Sequence, residues 1–289
     1  MEWFALSLLT AFAAATQDAC VKKWFAHTSP YEMALFPLLY SLPAFLVILP
    51  FVPRPQLDGT FWWSLAACLP FDGVAFLLYM EAIRIAPLSL TVPYLAFTPV
   101  FMLITGELVL QEVPNAAGIA GILVTVAGGY ILNADPGGTG VLAPFRNILK
   151  VRGSWMMCLV AFLYAFASVF GKQAVIHSSP IFFACVYYII LSLGLLIILT
   201  ALRKISLRSL GSGWKLGALA GLILLAHALL HNSAIALVKA SYMISVKRLN
   251  VLFGVLYGGI LFKESHLTRR LVGAMLMVGG AVVITLWGN

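Results

Sequence analysis

Acidic residues are scarce in this sequence: ten Asp and Glu stand against 18 Lys and Arg in 289 residues, and charged residues make up only 10% of the chain. A soluble domain carries about 25% charged residues. So few charges cannot form the water-facing surface of a chain that is 62% hydrophobic with a mean hydropathy of +1.01. A soluble enzyme, a disordered chain and a nucleic-acid-binding domain are thereby excluded. Cysteine is scarce too. Cys20, Cys68, Cys158 and Cys185 all lie in or beside apolar segments without CxxC spacing, and they read as small core residues, not as disulfides or metal ligands. A basic leader and a small-residue cleavage site are missing after Met1-Glu2-Trp3, so the first apolar run is expected to stay in the mature protein. No catalytic triad, P-loop or dinucleotide fingerprint occurs. No cofactor, no metal and no nucleic-acid partner is expected, and any active transport would be secondary.

Long apolar runs fill the chain instead. A membrane-spanning helix needs about 20 predominantly apolar residues. Ten such stretches fit, at 3–21, 31–51, 61–81, 88–110, 115–133, 153–171, 180–202, 213–233, 240–262 and 267–287. The breaks between them hold Pro, Gly, Asp and basic residues, the longest being around Asn133-Ala134-Asp135-Pro136-Gly137-Gly138. The expected partners are therefore the lipid bilayer and a small-molecule substrate.

The two halves repeat one another. A shift of 150 carries Lys22, His27, Ser29 and Pro30 onto Lys172, His177, Ser179 and Pro180. A shift of 152 carries Ser89, Phe101, Gly106, Glu112, Gly121 and Gly128 onto Ser241, Phe253, Gly258, Glu264, Gly273 and Gly280. Each half holds five spans, an odd number, so the second must enter the membrane from the opposite side. The expected fold is an all-α membrane protein of ten transmembrane helices built as two inverted five-helix repeats, 1–135 and 153–289, joined through 136–152. This is a recurring build of secondary transporters, with the substrate site near the midplane. One chain can hold a complete cavity between its repeats, so a monomer suffices and no dimer is required.

The net charge of +8 reads as loop asymmetry. Arg54, Lys172 and Lys239 fall on one side, Lys247 and Arg248 lie inside span nine, and the remaining 13 of the 18 Lys and Arg follow odd-numbered spans. The positive-inside rule then places the basic loops in the cytoplasm and both termini outside it, in an inner or plasma membrane.

Certain residues resemble the EamA branch of the drug/metabolite transporter superfamily. They are Ala82-Ile83-Arg84-Ile85-Ala86-Pro87, Val92-Pro93-Tyr94, Thr98-Pro99-Val100, Gly106 and Leu110-Gln111-Glu112 in the first half. In the second they are Ala234-Ile235, Ser241-Tyr242, Gly258 and Phe262-Lys263-Glu264. The resemblance covers both halves and implies ten helices, alternating access and transport of a small metabolite. The adjacent Lys247-Arg248 pair is similar to one in the sugar-phosphate translocators of the same superfamily, which implies a contact with a substrate phosphate.

The residues themselves allow that role. A cation at bilayer depth costs roughly 2.5–3.5 kcal/mol on insertion scales, so two adjacent ones require a reason. One is capture of a phosphate or carboxylate, with Arg as a fork and Lys as a point charge. The other is a structural pair with an acid such as Asp72, or snorkelling to the interface. On a continuous helix Lys247, Asn250, Gly254 and Tyr257 share a face, taken as the cavity wall. Asp72, midway along span three, is either a proton-coupling carboxylate, or a counter-ion that releases Lys247 or Arg248 when substrate binds, or one half of a fixed ion pair. His227 and His231 lie one turn apart on span eight with Tyr79 at the matching place in span three; no third ligand supports a metal, and a polar cavity wall or buried hydrogen bonding remains. Gln17, Asp18, Tyr164, Ser168, Tyr187 and Tyr188 are weaker lining candidates. Pro93 and Pro99, with Pro87, punctuate span four and allow a gating bend. Gly217 with Gly221 and Gly254 with Gly258 are read as packing glycines, Glu112 with Glu264 as a repeat-related structural feature, and Lys22 with Lys172 as holders of helix ends or headgroups.

The expected function is a secondary transporter of a small anionic or zwitterionic metabolite: an organic phosphate, a carboxylate or an amino acid. An exporter of neutral amino acids is the nearest alternative. A membrane enzyme or scaffold without a transport cycle is a third, and two cations in the cavity oppose efflux of cationic drugs.

Overall fold

The structure, a computed structural model, describes residues 1–132, 152–262 and 267–288, and the regular elements in these ranges are all helices. Apart from Arg152, the expected connection at 136–152 lies outside the described residues, as does Glu264.

Six helices are long and apolar enough to cross a membrane. They are α1 (Glu2–Phe25), α2 (Pro30–Ile48, prolonged by a 3-10 turn to Phe51), α3 (Gly59–Ile85), α7 (Arg152–Ile176), α8 (Pro180–Ala201) and α10 (Trp214–Ala236). The duplication shows in how they start. Ser29 caps α2 by accepting from the Glu32 N–H at 3.2 Å, and its repeat mate Ser179 caps α8 by accepting from the Phe182 N–H at 3.3 Å, each followed by Pro at the first helical position. Glu32 returns a bond to the Ser29 N–H at 3.2 Å, completing a capping box. Glu81 and Arg84 pair at 2.6 Å near the end of α3, with Arg152 at 3.6 Å.

The stretches at 88–110 and 240–262 are not the single helices expected from their apolar content. The first is divided into α4 (Leu88–Thr91), a 3-10 segment (Val92–Phe97) and α5 (Thr98–Leu110). Pro93 and Pro99 supply no N–H to a regular ladder, which accounts for this break. The second is divided into α11 (Ala240–Lys247) and α12 (Asn250–Phe262). No proline stands there. Instead, Leu249, Val251 and Leu252 donate to Val246, Arg248 and Leu249 at 3.0–3.1 Å, so the chain tightens into a 3-10 turn at Arg248-Leu249. The second pieces, α5 and α12, begin at Thr98 and Asn250, residues that the 152-residue shift superimposes. The break is therefore a property of both repeats.

Two remaining helices, α6 (Ala116–Leu132) and α13 (Leu267–Trp287), pack against each other through glycine. A Cβ on Gly121 would lie 2.8 Å from the Gly280 carbonyl oxygen, and one on Gly128 would lie 2.6 Å from that of Gly273. The shift by 152 exchanges these two contacts, so the pairing is antiparallel and two-fold in pattern. A short helix α9 (Leu207–Ser212) precedes α10. Gly221 behaves as expected, since a Cβ there would meet the Tyr40 backbone carbon at 2.5 Å. Gly254 does not: nothing lies within 4 Å of its would-be Cβ, so it is open space and not close packing that meets this glycine.

Candidate functional site

A cavity of about 140 Å³ lies between α1, α3, α7, α8, α10 and the broken element α11–α12. Its apolar wall includes Phe76, Phe183 and Leu191, and its polar wall gathers most of the residues singled out from the sequence. Lys247, Arg248, Asn250, His227, His231, Tyr79 and Asp72 all line it, as do Gln17, Asp18, Tyr164, Ser168, Tyr187 and Tyr188.

The break at the end of α11 sets the direction of the two cations. Lys247 is the last residue of α11 and Arg248 its C-cap, so the side chains leave a tightened turn in different directions. Lys247 Nζ lies 3.2 Å from His231 Nδ1 on α10. Arg248, 4% exposed, donates through a terminal guanidinium nitrogen to Thr98 Oγ1 at 2.8 Å. Thr98 opens α5, so Arg248 links the broken element of the second half to that of the first. Arg248 Nε and Asn250 Oδ1 are buried without a hydrogen-bond partner. Among the described residues, no carboxylate comes within ion-pair distance of either cation, and no fixed pair forms between Lys247 and Asp72.

Both acids in the cavity are held by phenols. The Tyr187 hydroxyl donates to Asp72 Oδ2, and Tyr79 is the side-chain hydrogen-bond partner of Asp18. Tyr187 meets Tyr188 edge-on at 5.1 Å between centroids, and Tyr79 lies 6.4 Å from Tyr164. A polar chain runs from Gln17 Oε1 to His227 Nδ1 at 3.4 Å, then to His231 6.0 Å away between ring centroids, and on to Lys247. Among the described residues no group of three or more His, Cys, Asp and Glu forms that could hold a metal.

One residue expected in the cavity wall stands elsewhere. The Tyr257 hydroxyl is 2.9 Å from Thr16 Oγ1, on the seam between α12 and α1, and Tyr257 does not line the cavity. The shared face with Lys247 assumed an unbroken helix. A 3-10 turn has 3.0 residues per turn in place of 3.6, and the tightening at Arg248-Leu249 rephases everything after it. Pro99 is buried at the second position of α5 and Pro93 lies in the 3-10 segment, so both prolines expected to allow a bend stand at the break of the first half. The Pro93 side chain lies outside the described residues. Thr98 was absent from the expected set. Its signal in the sequence is its place as the repeat mate of Asn250.

At the cavity's end Lys172, on α7, pairs with Glu112, which follows α5. Lys172 also donates to the Val238 carbonyl, while the second Glu112 oxygen accepts from the Ala240 N–H at 2.8 Å, at the start of α11. At the repeat-related place Lys22 donates to the Ala86 carbonyl.

The solved structures that match this chain include a crystal structure with a TM-score of 0.67 at 16% identity, over 99% of this chain and 96% of the other. That likeness carries the fold alone. The curated proteins give no match. The EamA-like transporter family model matches residues 1–134 and again residues 151–286. With the family pattern present twice and covering nearly the whole chain, this membrane protein belongs to the EamA-like transporter family.

Proposed function

We propose that this chain is a secondary transporter that moves a small anionic or zwitterionic metabolite by alternating access, with Lys247 and Arg248 receiving the anionic group. One observation carries the reading: two adjacent cations sit at the break of α11–α12, line the cavity, and meet no carboxylate there among the described residues. Asp18 and Asp72 share the cavity without closing an ion pair to either cation among the described residues, and a ligand anion supplies the direct partner that a buried cation requires. Discontinuous spans at corresponding places of two repeats are where secondary transporters build their sites.

Each side chain has a distinct part in this reading. Arg248 presents a planar fork already positioned by Thr98, with Nε still to be satisfied. Lys247 adds a point charge whose position is set by His231. Asn250 Oδ1, unpartnered, is suited to a donor on the substrate next to its anionic group. Asp72 and Asp18, each held by a tyrosine, face the same cavity and suit the ammonium of a zwitterion, with Asp72 as the carrier of a coupling proton or as a counter-ion. The cavity's volume, close to that of an engineered cavity of about 150 Å³ that admits one benzene, limits the substrate to a small molecule. In the membrane the chain forms ten spans as two inverted five-helix repeats, 1–135 and 153–289, with both termini outside the cytoplasm. The exchange of the Gly121–Gly280 and Gly128–Gly273 contacts under the repeat shift supports this arrangement.

Counterflow in proteoliposomes tests it, comparing inorganic phosphate, organic phosphates, carboxylates and amino acids. One of these classes is expected to exchange, and Arg248→Ala and Lys247→Ala are each expected to reduce that exchange by about tenfold or more, the effect of losing a charge-assisted hydrogen bond. Unchanged exchange in both variants removes the anion role. Exchange restricted to neutral amino acids with equal loss in Asp72→Asn selects the zwitterion reading.

A further inference from the structure

We propose that Glu112 and Lys172 form a closing tie that positions the cation-bearing half-helix and seals one end of the cavity. The proposal rests on the alternating-access reading and adds to it where the closure is and how the substrate site senses it.

The tie joins three segments. Glu112 comes from the first half, just after α5, and Lys172 from α7 in the second half. Both hold the start of α11: Glu112 accepts from the Ala240 N–H at 2.8 Å and Lys172 donates to the Val238 carbonyl. Lys239 adds a bond to the Val113 carbonyl at 2.9 Å. Helix α11 has eight residues, about 12 Å at 1.5 Å per residue. Its first residue is gripped by Glu112, and its last residue is Lys247, followed by Arg248. A rigid two-turn helix therefore runs from the tie to the cations, and neither end can shift without the other.

The tie is also a seal. The Lys172 side chain is 5% exposed and Glu112 18%, and Lys172 itself lines the cavity. Separating the pair leaves the buried Lys172 uncompensated unless water reaches it. Breaking the tie and wetting this end of the cavity are thus one event. Just inside it lies Cys68, whose Sγ is 3.6 Å from a Cβ built on Gly171 and donates to the Ala167 carbonyl at 3.3 Å. The repeat mate of Lys172 is Lys22, and that of Val238 is Ala86, and Lys22 donates to Ala86 at the opposite end of the repeat pattern. The repeat mate of Glu112 is Glu264, which lies outside the described residues.

Cys68 serves as a native reporter and Cys185 as a control, because Cys185 is fully buried in a separate cluster with Phe45 and Ala228. In a chain with Cys20→Ser and Cys158→Ser, reconstituted in liposomes, a membrane-impermeant thiol reagent is applied from the side bearing Glu112 and Lys172. Glu112→Gln and Lys172→Met are each expected to label Cys68 about tenfold faster than the parent, a population shift of the size one lost tie produces. The double variant should label no faster than the faster single variant, since one pair is lost in each case. Lys172→Arg, which keeps the charge and the donors, should label at the parent rate, and Cys185 should stay unlabelled throughout. Rates within about twofold of the parent, multiplied effects in the double variant, or equal acceleration at Cys185 overturn the proposal. Inorganic phosphate, added in the same assay, separates this from the substrate reading. Faster Cys68 labelling without phosphate protection keeps the tie and removes the phosphate contact. Protection with unchanged rates removes the tie alone.

Discussion

Lys247 and Arg248 are neighbours in the chain, yet their partners lie on different helices. Lys247 turns to His231 on α10 and Arg248 to Thr98 on α5, because the turn between α11 and α12 separates their directions. Adjacent residues on an unbroken helix would diverge by about 100° in any case; the turn adds a contact between the repeats. Outside the membrane-spanning segments, Asp58 carries a second contact between the halves. It caps α3 by accepting from the Phe61 N–H at 2.8 Å and lies 2.7 Å from His177 Nδ1. The Phe61 N–H in the first place, then the His177 side chain, hold its carboxyl below the usual value of 3.8. A group with a depressed native value stabilises the fold above its unfolded value, and that contribution is lost as pH falls through the native one. Asp58→Asn keeps the cap and removes the charge. Its unfolding temperature in detergent is expected to lie below the parent's at neutral pH, with the gap closing as pH falls below about 3.8. A gap that is independent of pH shows that the charge has no part in it.

At the scale of elements, two kinds of helix divide the work. Long helices such as α3 and α7 build the cavity wall, and the broken elements α4–α5 and α11–α12 bring backbone turns and cations to its centre. Helices α6 and α13 contribute none of the lining residues. Their glycine seam lets two backbones approach where a side chain cannot fit. A Cβ on Gly280 would lie 2.5 Å from the Gly121 carbonyl oxygen and 2.7 Å from the Thr125 nitrogen. Both are backbone atoms that cannot rotate away. Gly280→Leu is expected to destabilise the protein by about 1–3 kcal/mol, the usual cost of overpacking, read as a lower unfolding temperature. Gly254→Ala, at a position with nothing within 4 Å, is expected to leave that temperature unchanged. Equal effects of the two substitutions would show that the α6–α13 contact is not tight.

For the whole molecule, the repeat also relates structural contacts: the shift of 152 exchanges Gly121–Gly280 with Gly128–Gly273, and Lys22–Ala86 corresponds to Lys172–Val238 through the shifts of 150 and 152. On the proposed alternating-access reading, such a two-fold pattern would serve closure at either end. By the positive-inside rule, the charge asymmetry is expected to orient the chain. Reporters fused at both termini are expected to lie on the same, non-cytoplasmic side, and one inserted near Lys204 on the other. Opposite locations for the two termini would mean an odd number of spans and would remove the inverted repeat.

Composition alone was enough to establish a helical membrane protein, because solvent acts on every residue at once and 10% charge cannot face water. The repeat was legible because glycines, prolines and charges recur at one offset, and those residue types have few substitutes where backbones touch or helices end. The cluster around Lys247 and Arg248 was legible for the same reason, since a cation within an apolar run is conspicuous. What the sequence left open depended on the phase of a helix and the reach of side chains across space. Nothing local marks the turn at Arg248-Leu249, so Tyr257 was expected in the cavity and lies on the α1 seam. Thr98 acquires its partner only when α5 packs beside the broken element of the second half, and Asp18 only when α1 lies beside α3. The pairing of Glu112 with Lys172, 60 residues apart in sequence, exists because folding brings the end of α5 beside α7 and buries the lysine where a counter-charge is needed.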